Sequence, residues 1–375
     1  MLTIIKEVPD YRRLRFGNVR HRGKDILWLN IMATMSDCHT RASKIQFAKR
    51  NLRKFQSMGM LLNGVPSEAT LCRFDNGLNP DEFAKILTKV ASKFMLRNED
   101  KELKVICIDG KCTRGTVLDN GRCPDIVSAY SASDKATIAT EMCEEKSNEI
   151  KAVPKLLDRL DLDFGNCVIT ADAMSCQKGI IDKIREKGGH FLIEVKENQK
   201  TLRWNLEDNV MKAKRIDAHI GEATLSNGRI EERMCSVYNG DDIIVDKAKW
   251  GEQLRILKIN TSTTNKKSRK VFSEERFYIT DLDCGAKRLD AISRTHWSIE
   301  SMHWVLDSVL HQDGIKRKGK NAARNLDTVQ RFCLSIIACW KRIRKKKDDK
   351  KKGITRLIGE FKNDFCYLKR FLSLK

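Results

Sequence analysis

One stretch, Val105-Ile106-Cys107-Ile108-Asp109-Gly110-Lys111, constrains the fold more than any other part of the chain. Four consecutive apolar residues read as a strand buried on both faces, and this strand ends on a carboxylate followed by glycine. An acid therefore stands at the rim of a core. Asp109-Gly110 also fits a plain hairpin turn, because Asp-Gly supplies the positive φ angles of a two-residue turn. A second apolar run, Val168-Ile169-Thr170-Ala171-Asp172, ends on an acid with no such turn to account for it. Two acids at two strand ends point to a metal site.

Charge narrows the partner. Seventy-two Lys and Arg oppose 50 Asp and Glu in 375 residues, a net +22, which favours a polyanion, with nucleic acid as the first candidate. An anionic membrane surface would also attract such a chain. No apolar run reaches the roughly 18 residues a spanning helix needs, however, and the N-terminus lacks a charged-then-apolar signal pattern. A cytoplasmic protein without a membrane partner is expected. The 13 cysteines are scattered singly, with no Cys-x-x-Cys pair, and Cys107, Cys167, Cys333 and Cys339 sit inside apolar runs. They read as buried reduced thiols rather than zinc ligands or disulfides.

Residues 1 to about 97 read as helical and basic. Asp25 is placed to cap a helix through Met32, a second helix runs near Ala42 to Phe55, Ser67 caps a third, and Asn79-Pro80 opens a fourth. Arg12, Arg13, Arg15, Arg20, Arg22, Lys49, Arg50, Arg53 and Lys54 make either a solvated face or a helical DNA-contact module. A charged linker, 98–104, leads into the strand at Asp109. Strand-like runs follow at Asp125 to Ser131 and Thr137 to Cys143, then a helix through Leu156, the strand ending at Asp172, a helix through Ile181 and a strand from His190 to Val195. Three strands joined by short turns, then helix, strand, helix, strand, is the order of the ribonuclease H-like fold. Its first strand is central and its fourth lies beside it, so acids at their ends converge. Residues 200–282 turn strand-rich, an inserted β-subdomain. Beyond them come a long helix from Leu289 to about Gln312, another from Leu326 to about Lys346, a basic run from Lys341 to Lys352, and an amphipathic tail helix from Ile354 to Leu374. No proline after Pro154 interrupts these helices.

The first of these long helices carries two faces. Ile292, Ile299, Met302, Leu306 and Val309 fall at core spacing, while His296, Glu300, His303, Asp307 and His311 recur every three or four residues. That polar stripe is either the wet side of the helix or a functional surface. It is poor in lysine although the chain is strongly basic, and Trp297 and Trp304 flank it.

The blocks ICIDGK, KSNEI, ITADAMSCQK, LIEVKENQ, NGRIEER, RFYIT and HWSIESMHWVLD, in that order, resemble the H-repeat-associated branch of bacterial insertion-sequence transposases of the DDE type. The resemblance runs from about residue 5 to 340 and includes the helical domain of that branch around Val8-Pro9-Asp10 and Gly64-Val65-Pro66-Ser67. It implies that Asp109, Asp172 and Glu300 are the catalytic triad and the ligands of two Mg²⁺ ions, with Mn²⁺ able to substitute and Asp109 bridging the pair. It also implies an enzyme that cuts insertion-sequence ends and joins them to target DNA. Lys111, Lys196, Asn198, Gln199, Arg229 and Arg294 become the expected DNA-positioning residues. Double-stranded DNA, both transposon ends and target, is the expected partner, with a homodimer in the DNA complex and nucleoid association when bound.

The expected α/β architecture is a ribonuclease H-like catalytic domain with a β-rich insertion, preceded by a small helical domain and followed by C-terminal helices. Its parts are 1–97 (helical), 98–199 (first part of the core), 200–282 (insertion), 283–346 (core helices with the third acid) and 347–375 (basic tail). A ribonuclease H-like nuclease that only cuts, and a decayed DNA-binding relic, remain as alternatives. Within the stripe, seven helical residues advance about 10 Å, so one of Glu300 and Asp307 reaches the metals. Glu300 is expected to be that one, with Trp297 and Trp304 excluding water, and Asp307 to orient a neighbouring Arg, Lys or His.

Overall fold

The computed structural model describes residues 8–12, 17, 19–92, 103–117, 121–143, 149–160, 162–226, 228–343 and 351–372. Arg13, Arg15, most of the expected linker and residues 344–350 of the basic run lie outside them. Strand β1 (Lys104–Cys112) does not stop at its acid. It runs on through Gly110, which pairs with Val127 of β2 (Asp125–Ser131), so Asp109-Gly110 is not a hairpin turn. What ends near Asp109 is its parallel neighbour: β4 (Cys167–Ala171) pairs with β1 only as far as Ile108↔Ala171. Asp109 and Asp172 are thus the first residues past the last parallel pair.

With β3 (Ala136–Met142) and β5 (His190–Val195), these strands form the order β3-β2-β1-β4-β5, antiparallel on the β2 side and parallel on the β4 side. Period-two alternation sends Ile106, Ile108, Ile169, Ala171, Phe191 and Ile193 to one face, under α6 (Glu149–Arg159), α7 (Lys178–Glu186) and α8 (Lys200–Asn209). Cys107, Val168 and Leu192 point the other way.

The strand-rich segment after residue 200 adds β6 (Arg215–Ile220), β7 (Thr224–Ser226), β8 (Arg229–Asn239), β9 (Arg255–Asn265) and β10 (Val271–Thr280), with α9 (Lys247–Trp250) between β8 and β9. These strands extend the same sheet, because β10 pairs with β5 through Phe277↔Val195 to Thr280↔Leu192. The first half of β10 runs on past the end of β5. The β9–β10 hairpin therefore projects beyond the strand ends that carry the acids.

The expected single helix after residue 289 is two, α10 (Ala286–Thr295) and α11 (Trp297–Ser308), parted at His296. The next, α12 (Lys320–Ile343), is continuous over its described length. The expected tail helix is also two, α13 (Ile354–Asn363) and α14 (Phe365–Leu372). They divide at Asp364, whose extended backbone and side-chain acceptance from Tyr367 N–H start a new helix.

The N-terminal helices are α1 (Gly23–Met35), α2 (Arg41–Arg50), α3 (Leu52–Ser57), α4 (Glu68–Gly77) and α5 (Pro80–Ser92). Ser67 accepts from Thr70 N–H to start α4, and Asn79 accepts from the N–H groups of Asp81 and Glu82 at the start of α5. Asp25 does not cap α1. It is buried within the first turn and accepts from Leu61 N–H instead. These helices share one apolar core with α11 to α14; Phe55 stands edge-on to Phe365 at 5.1 Å and Phe47 lies 5.9 Å from the same ring. All 13 cysteines are free thiols.

Lys44 is buried in this core, its ammonium donating to Asn30 Oδ1 at 2.9 Å. Burial pulls its pKa from 10.5 down to about 8. Between those values the unfolded chain holds the proton more tightly than the native one, so this site adds stability as pH rises through that window, on the order of 2 kcal/mol. Across pH 8 to 10.5 the urea midpoint of the wild type is expected to gain on that of Lys44→Met, the two sharing whatever the buried thiols contribute.

Candidate active site

Asp109 reaches its position because alternation turns it to the side of Cys107, toward α11. Its Oδ1 accepts from Gly110 N–H at 2.9 Å, and its Oδ2 faces His303 Nδ1 at 3.4 Å. Asp172 follows the last residue of β4 and caps a short turn, accepting from Ser175 N–H at 3.4 Å. Burial, and next the charge of Asp109, hold its carboxyl above the usual range. Glu300, in the first turn of α11, stands at the solvent edge of the same place. Its carboxyl is also held high, first by partial desolvation and then by Asp109, while Arg276 pulls it down. Asp109 is thus the common neighbour of the other two acids.

Part of the polar stripe meets the sheet, through His296, His303 and Asp307, whereas Glu300 and His311 are exposed and His311 lies past the end of α11. Just before the helix, His296 Nδ1 lies 3.1 Å from Thr170 Oγ1 on β4, and burial keeps its pKa below the ordinary value. His303, on Asp109, is likewise lowered by burial. Asp307 Oδ1 is 2.8 Å from Lys111 Nζ. The flanking tryptophans do not seal Glu300 from water: Trp304 is 65% and Trp297 38% exposed. Trp297 instead carries the Arg276 guanidinium over its ring at 5.7 Å.

The Transposase DDE domain family matches residues 101–336, a span that holds all three acids, and the family associated with that domain matches residues 2–91. The chain belongs to the DDE transposase family. "Putative transposase YncI" of Escherichia coli O157:H7 is 31% identical over 385 aligned positions, covering 100% of this chain and 94% of the relative. "H repeat-associated putative transposase YhhI" of Escherichia coli K12 is 30% identical, covering 90% of each chain. An uncharacterised protein from the dhlA 3′ region of Xanthobacter autotrophicus is 28% identical over 65% of this chain and 82% of its own length.

Members of this family normally use divalent metal ions, and the acids of this transposase suit them. Carboxylate oxygens are the donors that hard cations such as Mg²⁺ and Mn²⁺ take, and the mutual repulsion around Asp109 is what a cation would relieve. The tightest grouping of ligand atoms among the described residues lies elsewhere, at Asp37, His39 and His311, within 4.8 Å of one another. Asp37 there already pairs with Lys362 at 2.8 Å and faces His39 at 3.1 Å, so the Lys362 ammonium offsets its charge. Among the described residues no helix is long and apolar enough to cross a membrane.

The expected DNA-positioning residues of the transposase fall into two groups. Lys111 is 7% exposed, its ammonium held between Asp307 and Asp313 at 2.8 and 3.1 Å, and it clasps β1 to the segment after α11. Asn198 donates to Ala173 O at 2.6 Å and Gln199 to Cys176 O at 2.8 Å, so both brace the turn that follows Asp172. Lys196 and Arg229 are exposed and Arg294 is half-buried. Lys196 pairs with Glu194 at 3.1 Å and Arg294 with Glu231 at 2.8 Å. Arg229 stands at the tip of the projecting strands, beside exposed Lys266, Lys267, Arg269 and Lys270.

Two further features were not assigned a role from sequence. A cleft of about 510 Å³ opens beside Asp172, lined by Lys196, Arg203 and Arg276 together with Glu194, Glu197, Glu274 and Glu275. Arg276 belongs to the RFYIT block, and only the β10–β5 pairing brings it to the acids. Glu149, in the KSNEI block, begins α6 with its carboxyl against Gly110. Desolvation, followed by the charges of Asp172, Asp109 and Asp125, raises its pKa to about 7. The available signal was an acid opening the helix after β3 inside a block that already carried the resemblance.

Proposed function

We propose that this transposase cuts the ends of an insertion sequence and joins them to target DNA by metal-dependent phosphoryl transfer, on a ribonuclease H-like core. The observation that carries the reading is the β1–β4 parallel pair ending at Ile108↔Ala171, with Asp109 and Asp172 next in each chain and α11 laid across β1. The sheet order β3-β2-β1-β4-β5 supports the ribonuclease H-like assignment.

Asp109, Asp172 and Glu300 would hold the divalent ions, which when bound supply Lewis-acid stabilisation of charge on the phosphate oxygens and lower the pKa of a nucleophilic hydroxyl. The chain's own groups do the rest. His303 and Gly110 N–H fix the Asp109 carboxylate, and Asn198 and Gln199 fix the Asp172 turn. Lys196, Arg203 and Arg276 face the cleft as phosphate neighbours, and Arg294 and the basic β9–β10 tip extend that surface. In the first step water attacks phosphorus in line and gives up a proton to solvent, and the bond to the 3′-oxygen breaks, that oxygen taking a proton from solvent to leave as a hydroxyl. In the second, that 3′-hydroxyl loses its proton to solvent as its oxygen attacks a target phosphodiester, whose own 3′-oxygen departs and takes up a proton from solvent. A homodimer would pair the two ends.

The test is metal-dependent nicking and strand transfer on a duplex carrying the element's terminal repeats. Nicking followed by joining supports the proposal. Nicking without joining reduces it to a nuclease, and binding without nicking to a relic. DNA affinity is expected to fall steeply with salt, by about 0.9 log units per log unit of salt for each phosphate contact. Neutralising Lys266, Lys267, Arg269 and Lys270 together is expected to flatten that slope, and fluorescence anisotropy titrations at several salt concentrations measure it. Asp109→Asn is expected to bind metal-free DNA as the wild type does.

A further inference from the structure

Alternation along β1 places Gly110 on the face of Ile106 and Ile108, opposite Asp109. On that face lies α6, and Glu149 is its first residue. A Cβ on Gly110 would stand 2.1 Å from Glu149 Oε1, 2.7 Å from Cδ and 3.3 Å from Oε2. The carboxylate therefore occupies the space that any side chain at 110 would need. Gly110 lies within β1 and is not among the glycines with positive φ, so close approach rather than backbone freedom makes glycine necessary there. Because β4 ends at Ala171, β1 pairs with no strand on that side beyond Ile108 among the described residues. An acid arriving over Gly110 thus meets the same strand-end gap that Asp109 and Asp172 enter from the other face.

The surroundings of Glu149 set it apart from an ordinary helix-start acid. The charges that act on it among the described residues are those of Asp172, Asp109 and Asp125, all acids. Among the described residues no cation or hydrogen-bond donor is paired with its side chain, whereas Asp109 has His303, Asp307 has Lys111 and Glu194 has Lys196. A helix N-terminus favours a nearby carboxylate by about 0.3–1 kcal/mol, but that does not explain why the backbone of β1 is left bare to admit it among three like charges.

We propose that Glu149 is a fourth carboxylate ligand of the metal site, reaching the Asp109–Asp172 edge from the α6 face through the space left by Gly110. The inference rests on the reading that Asp109 and Asp172 hold divalent metal. It predicts that the site draws ligands from both faces of the sheet, and that residue 110 controls one of them.

The test is Mn²⁺ binding by the full chain without DNA, with free Mn²⁺ followed by electron paramagnetic resonance into the millimolar range. Melting temperature with and without Mn²⁺ is the second readout. Glu149→Gln is expected to weaken binding about tenfold or more and to shrink the metal-induced rise in melting temperature. It is expected to leave the metal-free melting temperature unchanged or higher, because an amide removes repulsion. Gly110→Ala retains the carboxylate and displaces it, and is expected to weaken binding likewise. Asp182→Asn, which removes an exposed acid paired with Lys178, is the charge control and is expected to bind as wild type. If Asp109→Asn loses Mn²⁺ while Glu149→Gln binds like the wild type, Glu149 is not a ligand and the triad reading stands. If Glu149→Gln instead melts several degrees lower without metal, its carboxylate is structural and the inference is overturned. No binding by the wild type, or none lost in Asp109→Asn, sinks the metal reading and this inference with it.

Discussion

Glu300→Gln is expected to lower strand cleavage by roughly 10³-fold or more, while Asp307→Asn costs less than about tenfold, on the several kcal/mol that a catalytic metal contributes. Both acids lie on α11 and seven residues separate them, so they address different places along β1. Glu300 sits where partial desolvation and then the Asp109 charge raise its pKa and Arg276 lowers it. Asp307 is already committed to Lys111 at 2.8 Å, and Asp313 stays on that ammonium at 3.1 Å if Asp307 is neutralised. Loss of Asp307 therefore weakens a clasp, whereas loss of Glu300 removes a metal donor. Single-turnover nicking with Mg²⁺ and with Mn²⁺ makes the comparison, and metal-free DNA affinity serves as the control for folding. An inactive Asp307→Asn beside a near-normal Glu300→Gln would reverse the assignment.

Asp327→Ala is expected to destabilise the fold by about 3–5 kcal/mol, the cost of leaving a buried partner charge uncompensated. Asp327 and Arg331 lie one turn apart on α12, each side chain 2% exposed, joined by two bonds of 2.8 and 2.9 Å. Gln312 donates to the same Asp327 oxygen at 2.9 Å and Arg331 reaches Met302 Sδ at 3.4 Å, so the pair anchors α11 and the segment after it. Removing the carboxylate strands a guanidinium in the core. Replacing both partners with apolar residues, as in Asp327→Leu with Arg331→Met, is expected to restore most of the loss. Urea denaturation of the two variants measures it. A single variant within 1 kcal/mol of wild type (about 0.7 of a pH unit's worth of free energy) would mean that water reaches the pair.

Local pattern and local chemistry account for what was legible from sequence. The runs ending at Asp109 and Asp172 are strands because short, mostly apolar stretches rich in β-branched residues suit a strand covered on both faces, and they pair as parallel neighbours. Ser67 and Asn79 start helices because each bonds backbone N–H groups two or three residues away, a contact that needs no tertiary information. The stripe of α11 was visible as a 3.6-residue repeat, but whether it met water or sheet was not. Periodicity gives the angle between faces and says nothing of what lies opposite. Thr170, Asp109 and Lys111 decide that, and they are far away in sequence.

The same limit explains the rest. Lys111, Asn198 and Gln199 carry donor groups suited to phosphate, yet their partners are Asp307, Asp313, Ala173 and Cys176, fixed only when the sheet and the turn after Asp172 close. Arg276 comes to the acids through a strand pairing some eighty residues from β5 in sequence. Gly110 reads as a turn residue because glycine's backbone freedom is a property of the residue itself. Its actual use, as empty space for the Glu149 carboxylate, belongs to two chain segments at once. By itself the sequence determined where the apolar strand runs and the capped helix starts lie, and that Asp109 and Asp172 each follow such a run. Tertiary structure alone decided which charges meet, because Coulomb and hydrogen-bond energies depend on distances that strand pairing and helix packing set.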